Sequence, residues 1–524
     1  MINNFFISLK ILLGLVLIGM VTETSSAKNY TITDFGAIGD GEFLCSESIQ
    51  KAIDACSASG GGVVLVPGGT FLTGTILLKD NVELHLANDA VLLGSVNHPQ
   101  DYTAGRGIIV ADGVSNAAVT GFGTINGQGG DKRFQYGDNK GNRPHVILYR
   151  DSKNMILRDV RLINSAWWTV FLFRCDGVKV DGISIHSQDN LNNDGLDVGS
   201  RNVTISNCVI DCDDDGLCFK SDDPAFMVEH ITVTNCTISS NCSAIKFGTG
   251  SKGGFKDIAI SNCVIHKASE SKLRKWSTRA KNVLSDTTNL AGIAIESVDG
   301  AQIERINISN ITMTDIMTPL FLRLGNRART PGEFKDIIIS SITARSRSMI
   351  TSSITGIPGA RIQGIVLRDL LFENLGKGTL EDASKPVPEQ VKAYPENSMF
   401  GPTLPAHGLY IRHADNITME NVQFRTAYPD DRPAIILDDV TNVSLNNFQA
   451  ESPSSSEALI RLISCKNILI SGYRQKTPPS KFLKVEGSGS ERIKVVNNDL
   501  TKIKVVADID KDVSRNAVLV KNNY

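Results

Sequence analysis

The feature that most constrains the fold of this chain is a sequence repeat that recurs through most of its length. Each copy has a short alternating strand, a polar turn that often contains Asn, and a second strand, as in Val203–Ile210. Successive copies lie near 20 to 30 residues apart. A period of this size without a helical signature predicts a solenoid of strands, because each coil then buries its apolar residues on the next. We therefore expect an all-β fold, a right-handed parallel β-helix.

A helix is predicted near the start of this solenoid. In the segment from Ser46 to Ala58, the residues Ile49, Ala52, Ile53 and Cys56 recur at helical spacing and fall on one face. A helix placed there would cover the open end of the strand stack, whose edges would otherwise be unpaired. We expect a short amino-terminal capping helix.

Three cysteines mark the same repeat. Cys208, Cys236 and Cys263 each follow Asn, and their spacings are 28 and 27 residues. We interpret them as one stacked column of small buried residues. A disulfide within the column remains open, and the spacing typical of a C-x-x-C metal site is absent.

The first residues predict export. An apolar run of eleven residues, Ile11–Val21, follows Lys10, and small residues come before Ala27. The run is too short to span a bilayer and is typical of a signal peptide. We predict a signal peptide over 1–27, a secreted or periplasmic protein, and a single β-helix domain over 28–524. A membrane anchor is the weaker alternative, and nothing later in the chain is long and apolar enough to cross a membrane.

Three long polar segments interrupt the repeats, at 127–143, 267–290 and 376–405. Loops of this length on a rigid stack often form the walls of a binding groove, although plain insertion is the alternative. The charge is nearly balanced, with 54 basic and 56 acidic residues, so we expect no nucleic-acid partner. We expect a monomer.

The chemistry-bearing stretch runs from 192 to 221. Asp194 lies about twenty residues before the pair Asp214–Asp215, with one strand between them. One coil over that distance would bring the three carboxylates onto neighbouring rungs, about 4.8 Å apart. Clustered carboxylates shift one another's pKa values, which suits general acid and base work at a glycosidic bond. Ordinary turn chemistry or a calcium site are the alternatives.

The sequence motifs that contain these aspartates resemble those of a known family. The N-N-D-G that contains Asp194 resembles the N-T-D-G of glycoside hydrolase family 28, the polygalacturonases and rhamnogalacturonan hydrolases. The D-D-G-L-C-F-K-S that begins at Asp214 resembles that family's D-D-C-I-A-I-K-S. The resemblance implies an inverting hydrolase of α-glycosidic bonds in pectic polysaccharide. It implies Asp214 as the general acid, Asp194 and Asp215 as the groups that hold the attacking water, and no metal or organic cofactor.

Two motifs of that family are missing. Ser243 stands where the His of G-H-G is expected, and Ala294 and Glu296 replace the two cations of R-I-K. In polygalacturonases those cations hold the carboxylate of the substrate. Their loss suggests an altered sugar at that subsite.

The replacements can be placed by strand alternation. If Phe219, Phe247, Ile295 and Leu322 point inward, the residues that follow them form an outward column. Glu296 and Arg323 would then lie on adjacent rungs and could form an ion pair, with Lys246 nearer the carboxylates. The alternative is a solvated salt-bridge ladder of little energetic consequence. The predicted substrate-binding residues are Asn192, Lys220, Lys246, Glu296 and Arg323.

Two other functions remain open. A β-helix polysaccharide lyase would need calcium and an Arg or Lys base. A non-catalytic carbohydrate-binding β-helix would explain the missing motifs. The sequence leaves endo or exo action open, although long loops beside a groove suit cleavage from a chain end.

Overall fold

The computed structural model describes residues 29–134, 143–273, 288–328, 330–451, 453, 455–474 and 479–524. The predicted signal peptide lies outside these residues, as do 135–142 and 274–287 of the predicted loops. Within the described ranges, no helix has both the length and the apolar character needed to cross a membrane.

Strands form most of the described chain, and they pair with one another into a single continuous sheet. The first twelve are β1 Asn29–Thr31, β2 Asp40–Leu44, β3 Gly62–Val66, β4 Gly69–Thr73, β5 Ile76–Leu77, β6 Val82–Leu86, β7 Ala90–Gly94, β8 Gly107–Asp112, β9 Ala118–Gly121, β10 Thr124–Asn126, β11 His145–Arg150 and β12 Lys153–Arg158. The middle twelve are β13 Arg161–Ile163, β14 Val170–Asp181, β15 Ser184–Ser187, β16 Leu196–Ser206, β17 Val209–Cys212, β18 Leu217–Ser221, β19 Val228–Thr234, β20 Thr237–Ser240, β21 Ser243–Ser251, β22 Gly254–Lys267, β23 Asn289–Ser297 and β24 Gln302–Leu324. The last twelve are β25 Glu333–Ser346, β26 Ser352–Thr355, β27 Ile362–Asn374, β28 Leu409–Thr426, β29 Ile435–Asn446, β30 Gln449–Ala450, β31 Ile460–Ile463, β32 Lys466–Ser471, β33 Lys481–Glu486, β34 Glu491–Val496, β35 Val505–Ile509 and β36 Val518–Lys521.

The strands wind into a right-handed parallel β-helix, as predicted. Each strand pairs in parallel with the strand one coil later, for example β16 with β18 and β18 with β21. The inward residues of successive coils stack along the axis. Phe219 faces Phe247, and their rings are stacked with centroids 4.4 Å apart. This stacking makes one continuous apolar core through the solenoid.

Asparagines form the corners of the coils. Asn207, Asn235, Asn262 and Asn310 have positive φ angles between 54° and 58°. Asn is one of the few residues other than glycine that adopts this backbone conformation readily. Asn310 Nδ2 donates to Asn262 Oδ1 at 2.7 Å, so the corner side chains bond from coil to coil. The segment Val203–Ile210 is divided at Asn207 between β16 and β17, in agreement with the predicted pattern of strand, turn and strand.

The amino-terminal helix spans Ser46–Ala58, which confirms the prediction. It buries Ile49, Ala52, Ile53 and Cys56 and packs against the first strands of the stack. The other helices within the described residues are short: the α-helix Leu380–Ala383 and 3-10 turns at Ile32–Phe35, Gln100–Tyr102, Lys132–Phe134, Asn397–Phe400 and Arg515–Ala517.

The cysteine column is present. Cys208, Cys236 and Cys263 lie in register on consecutive coils, and all three are buried. Each thiol donates to the carbonyl oxygen two residues earlier, at 3.1 to 3.3 Å. All ten cysteines lie within the described ranges and are free thiols.

Candidate active site

Neighbouring coils bring Asp194 and Asp215 together. The Gly195 N–H donates to the Asp215 carbonyl at 2.9 Å, and β16 and β18 continue that register from Leu196 and Leu217. On the next coil, the Gly216 N–H donates to the Ser243 carbonyl at 2.8 Å. Asp194, Asp215 and Ser243 therefore occupy equivalent positions on three consecutive coils, on the outer face of the solenoid.

Asp214 is held in place by its neighbours in the chain. The Asp215 backbone N–H donates to Asp214 Oδ1 at 3.0 Å. Asn192 Nδ2 donates to Asp214 Oδ2 at 3.3 Å. Asp214 is 8% exposed and lines a cavity together with Asn192 and Asp215. The carboxyl group is thus oriented at the wall of that cavity.

Lys220 joins two buried aspartates. Its Nζ lies 3.3 Å from Asp194 Oδ2 and 3.5 Å from Asp197 Oδ1. It also lies 4.8 Å from the centre of the Trp168 ring. Burial, together with the charge of Asp214, raises the pKa of Asp194 to about 7, while Lys220 opposes that rise. Burial and the charge of Asp194 also raise the pKa of Asp197 well above its ordinary value.

Lys246 pairs with Asp215. Its Nζ lies 3.1 Å from Asp215 Oδ2, and both side chains are buried. The Ser243 backbone N–H donates to Asp215 Oδ1 at 3.1 Å. Burial disfavours the ammonium form of Lys246, yet the charge of Asp215 holds the pKa of this lysine well above its ordinary value. Asp215 therefore has a partner for each of its oxygens.

Glu296 lies on the wall of the same cavity. Its strand, β23, pairs with β21, and it stands beside Gly248 on the neighbouring coil. It is 1% exposed, and its Oε2 has no hydrogen-bond partner. Burial raises the pKa of Glu296 to about 8, with Lys246 opposing the rise. The protonated form of Glu296 is therefore favoured at neutral pH.

The loop 376–405 closes over this face of the solenoid. It contributes Tyr394, Pro395, Glu396 and Asn397 to a cavity of about 190 Å³. Asn397 Nδ2 donates to the Leu290 carbonyl at 2.7 Å, and Thr249 Oγ1 donates to Tyr394 Oη at 2.9 Å. The loop is therefore one wall of the site.

Arg323 holds this loop and does not pair with Glu296. The two residues are in register on β23 and β24, as expected, but the predicted ion pair between them was wrong. Arg323 Nη2 donates to the carbonyls of Glu389 and Gln390 at 2.9 and 3.0 Å. Its guanidinium is buried against the docked loop and is not part of the cavity lining.

The comparisons with known proteins identify the family. The model of glycosyl hydrolases family 28 matches residues 56–369, more than half of the chain. The chain belongs to glycosyl hydrolase family 28. A probable polygalacturonase of Vitis vinifera is 30% identical over 269 residues, 45% of this chain and 55% of the relative. The chain thus spans little more than half the length of that relative.

Solved structures share the fold of this family 28 chain. An exopolygalacturonase of Thermotoga maritima superposes with a TM-score of 0.58 at 20% identity, over 76% of this chain and 92% of that one. An exopolygalacturonase of Yersinia enterocolitica gives a TM-score of 0.61 at 19% identity, over 80% and 78%. At this identity the likeness concerns the β-helix alone.

Three residues at the site of this family 28 chain were missed by sequence reasoning. Asp197 has a recognisable signal, because in Leu196-Asp197-Val198 the strand alternation points it outward beside Asp194. Arg143 is the last residue of the predicted loop 127–143; it is buried and donates to Asn192 Oδ1 at 3.3 Å. Tyr394 carries no local signal, because it reaches the cavity from a loop far away in sequence.

Two sets of donor atoms near the carboxylates are close enough together to be tested as metal sites. They are Asp194, Asp197 and Cys218, and Asp214, Asp215 and Cys242. Calcium takes several oxygen ligands, whereas each set offers a thiol as its third donor. Lys220 and Lys246 already supply a positive charge to these carboxylates. The arrangement resembles a charge-balanced carboxylate cluster more than a calcium cage.

Proposed function

We propose that this chain is an inverting glycoside hydrolase that cleaves α-glycosidic bonds in pectic polysaccharide. The observation that carries the proposal is the meeting of three aspartates on neighbouring coils, where Asp214 and Asp215 line one cavity and Asp194 lies in register with Asp215. Membership of glycosyl hydrolase family 28 and the likeness to a probable polygalacturonase support the substrate class.

Asp214 is the general acid in this mechanism. Its carboxyl faces the cavity, where it donates a proton to the oxygen of the leaving sugar. Asp194 and Asp215 orient a water molecule and take its proton as the water attacks the anomeric carbon from the opposite face. In inverting enzymes the acid and the base are separated far enough to admit that water.

Two buried lysines act on the base carboxylates. Lys220 lies beside Asp194, and Lys246 lies beside Asp215. An opposite charge at this distance favours the carboxylate form, and Lys220 in this way limits the rise that burial causes in the pKa of Asp194. The two lysines therefore act as positioning residues, with substrate contact as a second role for Lys246 and for Asn192. Arg323 contributes through the loop that it holds.

Chain-end cleavage is part of the proposal. The loop 376–405 covers the cavity and is hydrogen-bonded to several coils. A groove closed in this way suits a chain terminus better than a chain interior. We further propose a monomer that is exported after cleavage following Ala27, supported by Lys10 and the apolar run Ile11–Val21. The mass of the mature chain tests the cleavage site.

The direct test of the activity is the change Asp214→Asn. We expect turnover of pectic oligosaccharides to fall by at least about 10³-fold while the fold, followed by circular dichroism, is unchanged. Asp512→Asn, at an exposed position, is the matched control. Full activity of Asp214→Asn contradicts the assignment. An ultraviolet-absorbing unsaturated product would identify a lyase, and binding without any product would identify a non-catalytic module.

A further inference from the structure

The cavity beside Asp214 has walls of two kinds. Its polar lining includes the carboxyl groups of Asp214 and Asp215 and the ammonium group of Lys246. Its apolar lining consists of Leu290, Ala291 and Phe321, which are buried. Ala294 lies on β23 next to Phe321 on β24, so the apolar wall continues into the core cluster beneath it. A ligand here meets both hydrocarbon and acidic groups.

Glu296 gives this cavity an unused hydrogen-bonding atom. The side chain is 1% exposed and lines the cavity, and Oε2 has no partner. Leaving a buried polar atom unpaired costs about 1–3 kcal/mol, so such an atom at a cavity wall indicates a ligand group that satisfies it. Because burial raises the pKa of Glu296 to about 8, the acid both donates and accepts at neutral pH.

The nearby described cations already have partners. Lys246 is paired with Asp215 at 3.1 Å, and Arg327 is paired with Asp299 at 2.7 Å. Lys220 is shared between two aspartates. A uronate carboxylate in this cavity would have to compete with those acids for a cation while facing Asp214 and Asp215.

We infer that this cavity binds an uncharged sugar unit of the substrate, with one of its hydroxyl groups hydrogen-bonded to Glu296 Oε2, and discriminates against a uronate there. The inference rests on the proposed function and deepens it by naming the class of sugar. The apolar wall of Leu290, Ala291 and Phe321 suits the C–H face of a pyranose ring. Glu296 is then a specificity-determining residue.

The test compares oligosaccharides of equal length. One is an α-linked oligogalacturonate, the second is the same oligomer with its carboxyl groups reduced to alcohols, and the third alternates uronate with an uncharged sugar. We expect kcat/KM to be at least about tenfold higher for the second or third than for the first, which is about 1.4 kcal/mol of discrimination. A higher value for the oligogalacturonate overturns the inference but leaves the hydrolase proposal standing. Cleavage of no pectic substrate at all contradicts both.

Variants of Glu296 test whether this residue is responsible for the preference for an uncharged sugar over a uronate. Glu296→Gln keeps a donor and an acceptor without charge, so we expect the preference to remain. Glu296→Ala removes both and should lower kcat/KM for the uncharged substrate by about tenfold, with little change for the oligogalacturonate. Glu296→Lys should narrow or reverse the preference. Glu333→Lys, on the exposed surface, is the matched control and should match the wild type.

Binding to the inactive Asp214→Asn protein provides a second readout that needs no turnover. Calorimetry should give tighter binding of the uncharged or alternating oligomer than of the oligogalacturonate. If Glu296→Lys fails to fold, Glu296→Ala in this background keeps the test intact. Equal binding of all three oligomers to Asp214→Asn overturns the inference.

Discussion

Lys246 Nζ lies 3.1 Å from Asp215 Oδ2 on the outer side of the strands, and both side chains are buried. Lys246 lies on the coil on which the family's G-H-G motif is expected, one coil after Asp215, and Ser243 stands in the place of the histidine. A cation is therefore kept beside the carboxylates, but it comes from a different position and is already bound to one of them.

Removal of this lysine should expose the cost of an unpaired buried charge. We expect Lys246→Met to lower the free energy of unfolding by about 3–5 kcal/mol, because the Asp215 carboxylate remains buried without its partner. Lys256→Met is the control, since its ion pair with Glu229 is only partly buried and should contribute less than about 1 kcal/mol. Urea unfolding of both variants measures the difference. Equal losses would mean that the Lys246–Asp215 pair is solvated.

Asp197 should act through Lys220 and Asp194. In Asp197→Asn the lysine has one carboxylate partner instead of two, so its charge acts more strongly on Asp194 and lowers the pKa of that group. We expect the acidic limb of the pH–rate profile to move to lower pH, kcat to fall, and KM to change little. Asp176→Asn, in an exposed pair with Arg201, is the control. An unshifted profile would make Asp197 a purely structural residue.

Glu296 should make stability depend on pH. Its folded-state pKa of about 8 exceeds the ordinary value of 4.5, so between these values the folded protein holds a proton that the unfolded chain has lost. The free energy of unfolding therefore falls as pH rises through this window, by about 1.4 kcal/mol for each step of one in pH. The groups that act on Glu296 are Lys246, Asp215, Lys220 and Arg327.

Glu296→Gln removes this dependence. Relative to the wild type, the variant should gain stability steadily from pH 5 to pH 8. Urea unfolding at several pH values gives the difference in the free energy of unfolding between the two proteins. The contributions of buried acids that both proteins share cancel in this difference. A difference that does not change with pH contradicts the raised pKa.

Arg323 should stabilise the loop 376–405. In Arg323→Met the loop loses its hydrogen bonds to the carbonyls of Glu389 and Gln390. We expect faster tryptic cleavage within the loop, a higher KM, and a smaller change in kcat, because the loop is a wall of the cavity. Arg305→Met, in an exposed ion pair with Asp257, should leave the loop resistant. Unchanged cleavage of both variants would show that other contacts hold the loop.

The repeats predicted the fold because period-2 alternation and the asparagine corners are local properties. Alternation through Phe219 and Phe247 fixes which residues face the core, and therefore that Lys220 points outward. The same register placed Asp194 and Asp215 on neighbouring coils. The corner at Asn207 follows from the same repeat, because Asn adopts a positive φ more readily than most residues.

The parts that the sequence could not predict depend on long-range contacts. Glu296 and Arg323 lie on adjacent rungs, yet Arg323 turns to carbonyls of a loop whose docking site no periodicity specifies. Tyr394 reaches the cavity in the same way. Its hydrogen bond joins it to Thr249, which is 145 residues away in the chain. Strand alternation predicts which way a side chain points, but the partner that it meets there depends on how distant segments pack.

The configuration of the first product tests the central claim most directly. Proton NMR during cleavage of a pectic oligosaccharide resolves the two anomers of the newly formed reducing end before they equilibrate. If Asp214 is the acid, and Asp194 and Asp215 direct water to the opposite face, the first product must have the inverted, β configuration. Initial formation of the α anomer, or of an unsaturated sugar, would contradict the account.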